Sequence, residues 1–314
     1  MALPGMSLAQ QASVRRRTPI IDVHIHLFDP SRPGGVPWPL KDDTVLYKPA
    51  LPERYEAVTA GLGVVGAIAI EASPLASDND WLLKVAAQHP VIVGVVGDLI
   101  PGAPSFLKDL DRLHADPLFR GFRYGNLWDR DLAVDLDKPG FVDGLKALQQ
   151  AGLVFESANP DPSLVRAILR VAESVPGLTI VVDHLPHAPV PLEAKARDEY
   201  WANVHRLGEH PRVFIKLSEI PVSTNGRRNA DIGTYQAGLD ALWGAFGEDR
   251  VLFGSDWPNS DHVASYDDTL AIAYEYLAEK TAAVREKFFW KNSIKAYKWH
   301  KRRPEEPALL EHSR

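Results

Sequence analysis

Residues 20–30 read IIDVHIHLFDP. A run this rich in β-branched residues predicts a strand, and strand alternation sends Asp22, His24 and His26 to one face and Ile21, Val23 and Ile25 to the other. Two imidazoles on one polar face fit a coordinating site. They fit equally a half-exposed edge strand wetted by solvent, so the rest of the chain decides.

Seven further runs of the same kind follow: VVGAIAIE from Val64, VIVGVVG from Val91, FRGFRY from Phe119, GLVFES from Gly152, LTIVVDH from Leu178, RVFIKLS from Arg212 and RVLFGSD from Arg250. Between them lie helical patterns. DNDWLLKVAAQH spaces Trp81, Leu82, Val85 and Ala86 as one apolar face with Asp80 near its start, and DPSLVRAILRVAES offers Asp161 as N-cap, Pro162 in the first turn and Leu164, Ile168 and Val171 as its stripe. Near-continuous apolar strands alternating with helices imply a parallel sheet covered by helices. Eight such units predict an α/β fold of one domain, a closed (β/α)8 TIM barrel with long βα loops over 19–300, between flexible tails at 1–18 and 301–314. An open doubly wound sheet is the alternative. SRPGGVPWP, inside the Pro- and Gly-rich stretch Pro30 to Pro52, predicts a long loop after the first strand; in a barrel that loop lies on the catalytic face.

Composition narrows the function. With 314 residues, 45% hydrophobic and 24% charged, the chain can bury one large core. A net charge of -6 without a basic run excludes a nucleic-acid or anionic-membrane footprint and leaves small molecules as partners. The absence of cysteine removes disulfides, thiolate ligands and cysteine nucleophiles, so any metal must sit on His, Asp or Glu. No run approaches the roughly 18 apolar residues of a spanning helix. ALPGMSLAQQASVRRR at the N-terminus places Ser7 and Ala9 like a cleavage site but lacks a charged start and an apolar core, so a cytoplasmic protein is expected, with export the alternative. A homo-oligomer is compatible with these features.

Polar residues stand where the predicted strands end: His24 and His26, Glu71, Asp98, Arg123 and Tyr124, Glu156, Asp183 and His184, Lys216 and Ser218, and Asp256. In a barrel these ends form one rim and converge on one cleft. Three imidazoles and a carboxylate make an N/O donor set suited to one divalent ion, zinc or manganese. Such an ion acidifies bound water, and Asp256 is the candidate proton acceptor. Taken singly, His184 also fits a buried core histidine and Asp256 a helix N-cap. His205 and His210 read as structural.

The residues then match a known family. DVHIH at the first strand, VVDHL at the sixth and LFGSDWP at the eighth, with GVVG, GFRY, KLS and NSIKAYKW, resemble the amidohydrolase superfamily, in its branch of sugar-acid and 2-pyrone-4,6-dicarboxylate lactonases, over residues 19 to 299. The resemblance implies a distorted barrel that places His24, His26, His184 and Asp256 at the metal or catalytic positions, with Glu71 a possible further ligand. It implies a mononuclear centre or none, in which case Asp256 and a histidine activate water directly. Where members commonly read DHLGKP this chain has DHLPHAP, so Pro186 and His187 alter the loop beside the substrate.

The expected activity is opening of the ester bond of a small lactone by metal- or Asp/His-activated water, with a small-molecule lactone or carboxylate as the expected partner. Arg123, facing inward, holds a substrate carboxylate or developing alkoxide, and Tyr124, Glu156, His187 and Trp257 complete the expected substrate-binding set. A metal-dependent decarboxylase of a small aromatic or unsaturated acid and a non-catalytic binding barrel are the alternatives.

Overall fold

The computed structural model of the chain describes residues 18–224 and 227–308; residues 1–17 of the expected tail, with the export reading, lie outside the described residues. All eight predicted runs form strands. β1 (Ile20–His26), β2 (Val64–Ile70), β3 (Ile92–Gly97), β4 (Phe119–Arg123), β5 (Val154–Ser157), β6 (Thr179–Val182), β7 (Val213–Leu217) and the last strand, β10 (Val251–Phe253), pair in parallel in that order. The two short strands β8 (Ser223–Thr224) and β9 (Arg227–Arg228) form an antiparallel ribbon in the loop after β7. Helices link the strands and cover the sheet, giving a (β/α)8 barrel. Both faces of the strands are therefore buried, which is why β3 reads as an unbroken apolar run.

In β1 the simple alternation fails. Asp22 pairs with Ala67 and Ile25 with Ala69, so three steps on β1 oppose two on β2, a bulge. The bulge turns His24 and His26 into the barrel but sends Asp22 out to the helix layer. There its carboxylate accepts from Tyr55 Oη at 3.1 Å and Tyr266 Oη at 3.0 Å. Its other oxygen takes the backbone N–H of His24 at 3.2 Å and of Ser255 at 2.9 Å. Asp22 thus stitches the seam at which the barrel closes. The seam is completed by His26 N to Trp257 O at 2.7 Å and Asp256 N to His24 O at 2.9 Å.

Inside the barrel, Ile21, Val23, Ile68, Val181 and Leu252 share one apolar cluster with Trp290, Tyr297 and Trp299 of the C-terminal segment, which closes the end opposite the rim. The chain past residue 300 continues this closure and, through residue 308, is no loose tail. Arg302 donates to the carbonyls of Ala86 and Ile92, Arg303 to that of Val65, and Glu306 is buried. Asp161 caps the helix Pro162–Ser174 as predicted, accepting from Ser163 N at 2.7 Å and Leu164 N at 2.8 Å. The helix Ala76–Gln88 begins earlier than its pattern suggested, and Asp80 lies within it, paired at the surface with Arg112. Among the described residues no helix is long and apolar enough to cross a membrane.

Candidate functional site

The site is assembled by turns at the strand ends. Among the described residues seven non-glycine residues have positive φ, and five of them, Trp128, Asn159, His184, Glu219 and Asp256, line one cavity of about 200 Å³ at the rim. Left-handed backbone costs an L-residue free energy, so its concentration here marks turns held by the surrounding fold to aim side chains inward. Trp38, from the long loop after β1, covers the same cavity with its ring 5.7 Å from that of His26. That loop accordingly lies over the rim cavity.

His24, His26, His184 and Asp256 meet at the floor. Asp256 Oδ1 is buried without a hydrogen-bond partner and faces His26 Nε2 at 3.3 Å, His24 Nε2 at 3.5 Å and His184 Nε2 at 3.9 Å. Donor atoms of His24, His184 and Asp256 all lie within 4.8 Å of one another, close enough to share one divalent ion, and His26 Nε2 adjoins them, 3.2 Å from His24 Nε2. The outer nitrogens are tied down. His26 Nδ1 donates to Ile70 O at 3.2 Å, which leaves its Nε2 lone pair toward the cluster, and His184 Nδ1 shares a hydrogen bond of 2.8 Å with Ser218 Oγ. His24 Nδ1 lies 3.1 Å from the Lys216 ammonium and 3.6 Å from Asp183 Oδ1, so it is held from below by a charged pair.

Burial lowers the basicity of His184 to a pKa of about 4, and burial with the nearby Lys216 ammonium holds His24 well below the usual histidine range. Both imidazoles are neutral at neutral pH, as ligation requires. Burial works against ionisation of Asp256, but the surrounding His184, His26 and His24 outweigh it and hold the carboxyl below its ordinary range. Its second oxygen accepts from Asn259 Nδ2 at 2.7 Å. Asp256 is therefore no helix cap; Pro258 occupies the cap of the following turn.

Arg123 lines the cavity as expected, but two of its nitrogens are engaged. Nε donates to Glu71 Oε1 at 2.8 Å and Nη2 to Glu71 O at 2.9 Å, while Nη1 lies 3.7 Å from Asp183 Oδ2. One donor edge remains for a ligand, not a bidentate fork. Glu71 also accepts from Trp128 Nε1 at 3.1 Å and Ser73 N at 2.9 Å, so both its oxygens are engaged in orienting Arg123, Trp128 and the turn at Ser73.

Three other expected residues face elsewhere. Tyr124 donates to Asp135 and packs on Phe141, because alternation after the inward Arg123 points it at the helix layer. Trp257 is fully buried between Tyr55 and Arg54, since the left-handed Asp256 before it reverses the chain. Glu156 lies under the cavity, paired with Lys216 at 2.8 Å and Tyr297. Asp98 is likewise spent on Arg130. His187 stands at the outer edge, 3.6 Å from Glu219.

Glu219, one residue past the seventh strand-end motif, is the acidic group that strand reading passed over. Burial and the charges of Asp256 and Asp183 push it up to about 8. Trp38, Trp128 and Asn159 are cavity residues in loops, where side-chain direction carries no period, and Asn259 opens the short 3-10 turn Asn259–His262.

The amidohydrolase family model matches residues 21–299. An L-fucono-1,5-lactonase of Burkholderia ambifaria is 30% identical over 79% of this chain and 83% of that protein. A second L-fucono-1,5-lactonase, from Burkholderia multivorans, is 27% identical over 86% of this chain and 92% of its own length. Among solved structures, an amidohydrolase from Burkholderia multivorans with bound zinc superposes with a TM-score of 0.78 at 25% identity, covering 90% of this chain and all of that one. A barrel closed at a His-x-His strand, a rim that gathers three imidazoles and one carboxylate, and a match spanning nearly the whole described chain together establish that this chain belongs to the amidohydrolase family.

Proposed function

We propose that the protein hydrolyses the ring ester of a small sugar-acid lactone. The observation that carries this reading is Asp256 Oδ1, buried and unpaired, facing three imidazole nitrogens at the floor of a cavity sized for one sugar ring. The likeness to two L-fucono-1,5-lactonases supports the substrate class.

His24, His184 and Asp256, with His26 beside Asp256 at 3.3 Å, would hold one divalent ion, which we infer to be zinc from the donor set and the zinc-bound neighbour. When bound, such an ion acidifies water and polarises the ester carbonyl. Asp256 Oδ1 accepts the proton of the attacking water as the new C–O bond forms. Arg123 Nη1 is the cavity's cationic donor for the carbonyl oxygen as it gains charge. Collapse breaks the bond from the acyl carbon to the ring oxygen, and that oxygen takes the proton back from Asp256. Trp38 and Trp128 offer apolar faces to the C–H side of a sugar ring, while Asn159 and Asn259 offer hydrogen bonds to its hydroxyls.

A panel of 1,5- and 1,4-aldonolactones, followed with a pH indicator before and after chelation, tests the function. Ring opening releases one proton per turnover at neutral pH, whereas decarboxylation of an acid would consume one. Turnover of no lactone in the panel by metal-loaded protein would overturn the proposal.

The titration of His184 in the metal-free protein follows from its burial. With its pKa near 4 and not near the ordinary 6.5, the neutral imidazole persists across that interval. Imidazole NMR of the metal-free protein is expected to show the His184 ring unchanged as pH falls through 6.5 and protonating around 4. A midpoint near 6.5 would contradict the buried, neutral assignment.

A further inference from the structure

Beneath the floor of the cavity lies a second set of charges that the reaction above does not use. Lys216, fully buried on β7, sends its ammonium to Glu156 Oε2 at 2.8 Å and Asp183 Oδ1 at 2.9 Å, and lies 3.1 Å from His24 Nδ1. Tyr297 donates to the other oxygen of Glu156, and its ring centroid is 5.7 Å from the ammonium. Donor atoms of His24, Glu156 and Asp183 all lie within 4.8 Å of one another, close enough to share one ion. Both oxygens of Asp183 are buried without a hydrogen-bond partner, so their charge is met only by the cations around them. A buried carboxylate pair is sustained only by a counter-charge. Arg123 stands 3.7 Å from Asp183 and is shared with Glu71. The pair is thus balanced chiefly by Lys216.

We propose that the Lys216 ammonium is the resident occupant of a divalent-cation pocket formed by Glu156 and Asp183, and that it is what confines the barrel to one exchangeable ion. Removing the side chain leaves two buried carboxylates, a vacated volume where Nζ stood, and an oxygen donor set of the kind manganese takes. With the ammonium gone, His24 Nδ1 faces Asp183 Oδ1 at 3.6 Å, and Nε2 stays turned to the upper cluster, 3.5 Å from Asp256 Oδ1. The pocket is read from its own residues. The absolute number of ions rests on the upper cluster holding one, as proposed above, but the difference made by Lys216 does not.

The experiment counts manganese. Parent, Lys216→Ala and Lys216→Ala/Glu156→Gln are equilibrated with manganese chloride, desalted, and assayed for metal per chain by mass spectrometry and electron paramagnetic resonance. Lys216→Ala is expected to carry one ion more than the parent, and the added Glu156→Gln change to remove it. If Lys216→Ala is unfolded when metal-free, manganese and not sodium chloride should restore the cooperative thermal transition. The proposal is overturned if the folded single variant binds no extra ion, if the parent already binds two, or if the single variant stays unfolded with manganese present. None of these readouts depends on lactone turnover, so a failed lactonase assay and a failed cation pocket are separate results.

Discussion

Asp256→Asn should fold like the parent and lose on the order of 10²-fold or more in kcat, with substrate affinity nearly unchanged. The substitution keeps the size of the side chain, and its amide oxygen can still accept the hydrogen bond now made by Asn259 Nδ2 at 2.7 Å. What it removes is the anion at Oδ1, the atom that the three imidazoles surround. A neutral amide neither accepts a proton from water nor balances a divalent ion. The loss therefore falls on the chemical step and on metal retention, and circular dichroism with steady-state kinetics separates both from misfolding. Were Asp256 only part of the turn before Pro258, the Asn variant would match the parent, and that result would remove the centre of the mechanism.

Much of this site was readable because a barrel converts strand ends into a rim. The motifs DVHIH, VVDHL and GSDWP each placed a donor at a strand end, and the structure brings His24, His26, His184 and Asp256 together there. Strand alternation is a local rule, however, and it broke where pairing or turns intervened. Asp22 left the face of His24 because the register against Ala67 and Ala69 inserts a bulge, and nothing in IIDVHIH records its partner strand. Trp257 turned into the core because Asp256 adopts a left-handed conformation at the strand end.

The charge pairing was beyond a one-dimensional reading for a different reason. Glu71, Glu156 and Lys216 were all visible as polar strand ends, but whether a buried carboxylate meets a ligand or a cation depends on neighbours far along the chain, 52 residues away for Glu71 and 60 and 141 for Glu156. Glu71 became a prop for Arg123, and Glu156 a partner of Lys216. The rim is thus two-tiered, with a reactive layer open to the cavity and a charge-balanced layer below that holds it in place. Disturbing the lower tier should move the upper one without touching substrate.

The largest effect on stability is expected at Asp22, which the same opening motif supplies and which never reaches the cavity. Asp22→Ala withdraws the acceptor from four buried donors at once: the backbone N–H groups of His24 and Ser255 and the hydroxyls of Tyr55 and Tyr266. Each stranded donor costs about 1–3 kcal/mol, and because the four share one site their costs do not add in full. A total on the order of 4 kcal/mol is expected from urea unfolding, a large share of the 5–15 kcal/mol typical of a folded domain. Asp22→Asn keeps the shape and one acceptor oxygen and should cost less than half as much. The two backbone donors belong to the residue that carries one imidazole of the cluster and the residue just before Asp256. Activity of the Ala variant should therefore fall even at temperatures where it remains folded, through displacement of His24 against Asp256 across the closing seam. An Ala variant with parental stability would show that the seam is held by the β1 to Trp257 backbone bonds alone, and that the aspartate in this His-x-His strand is not what closes the barrel.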